Sequence, residues 1–407
     1  MKGLARFGPG LMMAATAVGV SHLVHATRAG AGYGLSLAVI VIVIVLLKYP
    51  AFRFAVEYAS VTGNSLVHAY VRQGRIAVGW LLITMLIEIL VGTSVLSLIT
   101  AGVLISVFDL PVSASVAAVI VAMLTAAILL NGRYEKAEGI VKFLVVAFSL
   151  TTLMVTAIAV PELGTAGRGV LSPLELDRTT INFMVAMTGY MPLPLAVAVF
   201  HSIWVREKKK ICDYPVSRAV LDLNIGWCLT AILALSFMVI GAAVLYQSEV
   251  AMPDSAPAFA AMLFAVFTGL AGDWIYPVLA AGGVAVVWST LVAILDAVPR
   301  ILDRLWREMG AREESVTNYY PRFLVLQVVG ASFVLTFLLG DFAAFVDISA
   351  SLTFLIAPAI AFYNYRAVTS PEVAAEFRTS MVLVRWNQLS IVAFVLFAIT
   401  FAVLRFW

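Results

Sequence analysis

Long apolar runs alternate with short polar connections along the whole chain. Runs of spanning length fall at roughly 8–31, 33–56, 77–107, 112–131, 138–160, 179–204, 218–246, 274–299, 321–340, 342–364 and 383–405. The pattern predicts an all-α polytopic membrane protein with about eleven transmembrane helices. A further apolar run, 256–272, is bracketed by acidic residues and prolines. It reads as a short lid helix, or on a second reading as a twelfth span that moves the C-terminus across the bilayer.

Two of the runs carry interruptions. The first, Gly8 to Gly34, reads GPGLMMAATAVGVSHLVHATRAGAGYG, with Gly19, Ser21 and His22 at its centre, followed by His25, Thr27 and Arg28. Polar groups at bilayer depth are costly and face a cavity. A glycine beside small polar residues lets a membrane helix open where the freed backbone lines such a cavity. The competing reading is a continuous helix packed through its small residues. The sixth run contains Thr188, Gly189, Tyr190, Met191, Pro192, Leu193 and Pro194 in succession. Each proline removes a backbone hydrogen bond. Breaks in the first and sixth spans point to inverted repeats of five helices with the substrate between the breaks. The repeats are expected over roughly 8–160 and 179–364, with 383–405 an extra helix and 1–407 one membrane transporter domain.

Composition agrees: 62% of residues are hydrophobic, 12% are charged, and the mean hydropathy is +1.02. These values exclude an ordinary soluble domain. Cys212 and Cys228 make no disulfide framework and are expected as free thiols. The first apolar run is too long for a cleavable signal peptide. Lys2, Arg6, Arg53, Arg72, Arg75, Arg133, Lys136, Arg206, Lys208, Lys209, Lys210, Arg218, Arg300, Arg304, Arg307, Arg312, Arg366 and Arg378 fall on one side of an eleven-span arrangement. The other side carries Arg168, Arg178, Glu162, Glu249, Asp254 and Asp273. The positive-inside rule then places the N-terminus in the cytoplasm and the C-terminus outside, most simply in a bacterial inner membrane. The Lys208–Lys210 run serves as a topology anchor; no nucleic-acid partner is expected. The expected partners are the lipid bilayer and a transported ion or small solute, and the sequence leaves the oligomeric state open.

Candidate chemistry gathers at the breaks. Gly19, Ser21, His22, Thr188, Tyr190 and Met191 are expected at the substrate, with His22 first and Met191 second. Tyr190, Met191, Phe200 and Trp288 supply an apolar wall. Glu88 lies well inside the third span, where a carboxylate is a functional candidate, and Glu88, His22 and His201 are the candidates for proton coupling. Lys48 is expected to snorkel to the membrane edge or to pair with Glu57 or Glu88. Asp222 is expected to pair with Arg218, Asp296 with Arg300, and Asn224 to make a helix–helix hydrogen bond. The strip Asp347, Ser349, Ser351 and Thr353 either lines a path or bonds to neighbouring helices.

Gly8-Pro9-Gly10, the spacing to Ala29–Gly34, Val61-Thr62-Gly63, Met191-Pro192 and His201-Ser202 together resemble the Nramp (natural resistance-associated macrophage protein) metal-ion transporters. The resemblance is close over the first two spans, looser at the sixth, and carried elsewhere by hydropathy and span count. It implies a LeuT-type fold with a 5+5 inverted repeat, alternating access, a site between helices 1 and 6, and a divalent transition metal moved together with protons. It implies no cofactor. The departures are as informative. The family's Asp-Pro-Gly-Asn at the first break is replaced by Gly19, Val20, Ser21 and His22. Its Met-Pro-His at the second becomes Met191, Pro192 and Leu193, or, in the register set by Pro194, Leu193 takes the methionine's place. The third-helix acids of the family fall on Val91 and Ser94, one turn from Glu88.

His22 and Met191 make a soft, neutral donor pair, suited to an imidazole-binding metal and poorly suited to Mn²⁺. A softer divalent cation is therefore the expected cargo of this Nramp-like secondary transporter, with proton coupling left open. A small organic solute, held by the amides and carbonyls of the broken helices, is the alternative, and a non-transporting membrane sensor is a third reading. An enzyme is not expected, because the chain carries no nucleophile–base or metal-hydrolase motif.

Overall fold

The computed structural model describes residues 8–132, 134–165, 171, 173–248, 252–310 and 318–406. Lys2, Arg6, Arg133, Arg168, Glu249 and Arg312 lie outside the described residues, as does the side chain of Lys136. With no water in the hydrocarbon core, an apolar segment must satisfy its backbone internally. The described residues accordingly form helices and no strand.

The first span is α1 (Pro9–Ala17), a distorted π-helical stretch Val18–Ala26, and α2 (Thr27–Tyr33). It is followed by α3 (Ala38–Thr62) and a short amphipathic α4 (Leu66–Gln73). The third span is α5 (Arg75–Ile87), a π-helical turn Glu88–Gly92, and α6 (Thr93–Phe108). Next come α7 (Ala114–Leu130) and α8 (Tyr134–Thr165), then the sixth span as α9 (Arg178–Tyr190) and α10 (Ala196–Ile211). The remainder is α11 (Val216–Val244), α12 (Ala256–Ala271), α13 (Tyr276–Met309), α14 (Tyr320–Phe337), α15 (Phe342–Val368) and α16 (Met381–Phe406). Eight segments of the described chain are long and apolar enough to cross a membrane unbroken. The two broken spans and α7 bring the number to the expected eleven.

Close contacts decide how α12 lies. A Cβ at Gly10 would meet the Asp222 backbone, and one at Gly30 would meet that of Met238. The first span and α11 therefore run in parallel, and α11 ends on the side where Arg28 meets Asp347. Phe342 N–H bonds to Asp254 O at 3.4 Å on that same side. The far end of α13 reaches the opposite side, where Glu308 lies 3.0 Å from His68, just beyond α3. Both ends of the α11–α13 connection thus share one face, and α12 is a lid helix rather than a twelfth span.

Helix α13 is the centre of the bundle and α16 its edge: 72% of the apolar window is buried in the α13 segment and 17% in α16. Several expected pairings take a different form. Asp222 does not simply pair along its own helix; it accepts Gly10 N–H at 2.6 Å and Tyr214 O–H at 2.7 Å. It caps the start of the first span, where a helix leaves its N–H groups unsatisfied. Burial, and then the Asp222 carboxylate beside it, push the Tyr214 hydroxyl up, so the phenol stays neutral. Asn224 accepts Tyr49 O–H at 2.6 Å, and Asp296 pairs with Arg300 at 2.6 Å, both as expected. Cys212 and Cys228 are free thiols.

Candidate functional site

The first break opens at Gly19, whose φ of −65° and ψ of −123° leave the helical region. His22 follows, fully buried. Its Nε2 lies 2.8 Å from Thr230 O in α11, and its Nδ1 lies 2.8 Å from Ser21 Oγ and 2.5 Å from Ala17 O. A neutral ring carries one N–H, which donates to Thr230 O from Nε2 or to Ala17 O from Nδ1, while the Ser21 hydroxyl gives its own proton to Ala17 O. The imidazole therefore pins the opened turn to α11.

The second break follows from the two prolines. Helix α9 ends at Tyr190, Met191 is extended, the Met191–Pro192 peptide is cis, and α10 resumes at Ala196. Helix α9 also presses closely on α15: a Cβ at Gly189 would lie 1.8 Å from Ala350 O. The carbonyls freed at this break find an unexpected donor. Lys48 is fully buried in α3, and its ammonium donates to Gly189 O at 2.9 Å and Leu193 O at 2.8 Å. It neither snorkels nor pairs with Glu57, which binds Arg53 at 2.6 Å.

Between the breaks lies a cavity of about 70 Å³. Glu88 enters it from the π-helical turn, together with the hydroxyl-bearing Thr16, Ser21, Tyr190 and Thr290. The turn is held by Thr93, whose hydroxyl donates to Glu88 O at 2.7 Å and accepts Gln327 Nε2–H at 2.8 Å. Gly92 leaves space for the carboxylate, since a Cβ there would lie 2.3 Å from Glu88 Oε2. Glu88 Oε1 has no hydrogen-bond partner among the described residues. The hydroxyls have theirs. Thr16 donates to Met13 O at 2.7 Å, Thr290 to Val286 O at 3.0 Å, and Ser21 to Ala17 O at 2.6 Å. Tyr190 shares a hydrogen bond with Ser349. Once its proton is committed to a carbonyl, a hydroxyl retains lone pairs. The cavity thus combines one carboxylate with neutral oxygen donors.

Of the residues expected at the substrate, Ser21 and Tyr190 line this cavity, as does Glu88. Gly19, His22, Thr188 and Met191 lie at the breaks but do not line it; Thr188 turns back to Met184 O at 2.6 Å. His201 is buried beside Trp204, with neither ring nitrogen hydrogen-bonded among the described residues, and it too is outside the cavity. Phe200 contributes to the wall, whereas Trp288 donates to Thr125 Oγ1 at 3.0 Å. The described residues contain no cluster of three His, Cys, Asp or Glu able to hold a metal. Thr16 and Lys48 entered the site unannounced: Thr16 stands among apolar neighbours, and a lysine near a span end ordinarily reads as a snorkelling anchor.

The polar strip on α15 serves the breaks. Arg28 of α2 grips Asp347 with two hydrogen bonds of 2.7 and 2.9 Å, and His25 Nε2 lies 3.3 Å from the same carboxylate. Arg28 also stacks over Phe183 of α9 at 5.2 Å. This cluster ties α2, α9 and α15 together beyond the cavity.

A family model for natural resistance-associated macrophage protein-like (Nramp) sequences matches residues 10–404. The chain belongs to the Nramp family. Nramp proteins are secondary transporters of metal ions, and this one is accordingly an integral membrane transporter and not an enzyme. An uncharacterised protein of Pasteurella multocida (strain Pm70) is 27% identical over 374 residues, covering 90% of this chain and 86% of its own. A crystal structure of the Eremococcus coleocola manganese transporter, bound to an aromatic bis-isothiourea compound, superposes with a TM-score of 0.71 at 18% identity, covering 98% of this chain and 87% of that one. MhsT in complex with L-phenylalanine superposes with a TM-score of 0.66 at 15% identity, covering 98% of each chain. At such identities these likenesses report the fold, and the Nramp chain has the LeuT-type architecture of both.

Proposed function

We propose that this Nramp transporter carries its metal ion in the cavity between the two breaks, with Glu88 as the ion's one charged ligand. The observation that carries this reading is the unpartnered Glu88 oxygen in a mostly apolar cavity whose other polar lining residues are Thr16, Ser21, Tyr190 and Thr290. Losing hydration in a low-dielectric site requires an opposing charge, and Glu88 supplies it. An all-oxygen donor set favours a hard ion such as Mn²⁺ over a soft one, as in the E. coleocola manganese transporter. The cavity, about 70 Å³, has room for an ion and a few waters, since one water needs roughly 10–15 Å³ of such space. His22 and Met191 then shape the breaks rather than ligate the ion.

Alternating access moves the ion, with the repeats at roughly 8–160 and 179–364 and the helix 383–405 outside them. A lone carboxylate that releases the ion on one side is also the natural carrier of a proton on the return, which makes Glu88 the coupling residue. The basic loops support an orientation with the Lys208–Lys210 side in the cytoplasm of a bacterial inner membrane and the Arg28–Asp347 side outside.

The test is Mn²⁺ uptake into proteoliposomes. The wild type is expected to take up Mn²⁺, and Glu88→Gln to weaken Mn²⁺ binding by about 2–5 kcal/mol, the cost of removing one partner of a buried charge pair. Unchanged Mn²⁺ affinity in Glu88→Gln, in protein that still folds, would sink the assignment.

A further inference from the structure

Lys48 has no anion beside it. It is fully buried in the middle of α3, and no carboxylate stands within ion-pair distance of it among the described residues. Its partners are two main-chain oxygens on either side of the sixth-span break. Gly189 lies in the last turn of α9, where a helix presents unpaired carbonyls and the negative end of its dipole. Leu193 lies between two prolines, and the α10 N–H groups that follow are engaged elsewhere: Val197 N–H bonds to Pro194 O at 3.0 Å and Ala198 N–H to Leu195 O at 3.0 Å. Both oxygens are therefore left for a group from outside the span, and a broken membrane helix persists only if such groups are satisfied. Carbonyls at an unwound break form a cation site in principle. Here that site already holds an amino group, and it is covalently attached to α3.

We propose that Lys48 is a specificity-determining residue: its ammonium is the resident cation of the Gly189–Leu193 carbonyl site. The transported ion is thereby denied those oxygens and confined to the Glu88 side of the cavity wall. Leu193 connects the two sites, since it lines the cavity while its carbonyl holds Lys48. The Lys48 ammonium and the Glu88 carboxylate together bring the region to zero net charge before the ion arrives. A divalent ion then meets a fixed positive charge one residue behind the wall, and a charge so placed opposes it through a low-dielectric medium. Lys48 thus holds down the affinity for divalent cations that Glu88 provides. The second half of this inference rests on the proposed Glu88 site; the first half does not.

The experiment uses the full-length protein in detergent, as wild type, Lys48→Ala, Lys48→Met and Glu88→Gln. The first readout is the melting temperature in sodium, methylammonium or choline chloride at equal ionic strength. Lys48→Ala is expected to melt lower than wild type and to recover in methylammonium or sodium but not in choline, which is too large for the vacated site. The wild type is expected to show no such difference between salts. The second readout is Mn²⁺ affinity, expected to rise by about tenfold or more in Lys48→Ala or Lys48→Met. No salt-specific recovery, or no variant that folds in any of the salts, overturns the resident-cation assignment. Recovery in the salts with unchanged or weaker Mn²⁺ affinity overturns the specificity role alone. Mn²⁺ binding absent from wild type, with recovery intact, discards the Glu88 reading and leaves the resident cation standing.

Discussion

At the scale of single residues, the polar groups of this membrane interior divide by what their partners leave free. Glu88 keeps an oxygen without a partner and faces the cavity, whereas His22 is engaged at both ring nitrogens and does not. The two residues looked alike in the sequence, each a polar group at bilayer depth. Their effects on substitution are expected to separate. His22→Ala removes the buried ring that lies between the Ala17 and Thr230 carbonyls and is expected to cost about 1–3 kcal/mol of stability. Thermal melting reads that loss, while Mn²⁺ binding by the folded fraction should be unchanged. Glu88→Gln should show the reverse pattern. Equal loss of Mn²⁺ affinity in both variants would return His22 to the ion.

At the scale of elements, each break depends on a neighbour that holds it open. The first is pinned by His22 to α11, and the second by Lys48 of α3 and by the close approach of α9 to α15. Gly189→Ala would drive a methyl group into the Ala350 carbonyl. Overpacking of this kind costs about 1–3 kcal/mol, and a lowered melting temperature is the expected result. Serine at the same position should be no better tolerated. Helix α9 starts on an Asp177 cap, whose carboxylate accepts Thr180 N–H at 2.8 Å. That hydrogen bond holds the Asp177 carboxyl below its usual value. The sign follows from the depressed value: the cap contributes in full above the ordinary aspartate range and is lost as the pH falls through the lowered one. Asp177→Ala should therefore lower the melting temperature at neutral pH, with the difference from wild type closing only in strong acid. A difference that stayed constant down to that range would assign the effect to something other than the carboxylate.

At the scale of the whole molecule, the eleven spans and lid helix of the described residues form a LeuT-type bundle around α13. The proposed orientation is testable with the two native thiols, both of which are exposed on the protein surface. Cys212 lies in the connection after α10 and Cys228 within α11. A membrane-impermeant maleimide should label Cys212 in inside-out vesicles and not in right-side-out ones, and Cys228, facing lipid, in neither. Labelling of Cys212 from the outside would invert the topology.

The sequence by itself determined eleven candidate spans, because spanning the hydrocarbon core demands a fixed length of apolar helix, and left the run 256–272 for the structure to decide. It also pointed to the two breaks, through the closely spaced Pro192 and Pro194 and the glycine among polar residues at Gly19, whereas single prolines at Pro50, Pro161, Pro299 and Pro358 sit inside continuous helices. The family was legible in Gly8-Pro9-Gly10 and the glycine pattern before α3. Only the tertiary structure decided which polar side chains meet. Lys48 reaches Gly189 across 141 residues of chain, Arg28 reaches Asp347 across 319, and Asp222 caps Gly10 across 212. Such pairings leave no periodic trace, since each partner is a single position whose local neighbours are ordinary. Whether His22 faces the cavity or α11 turns on the rotation of one opened turn. That rotation is set by packing against α11 and α13, and no local pattern in the chain records it.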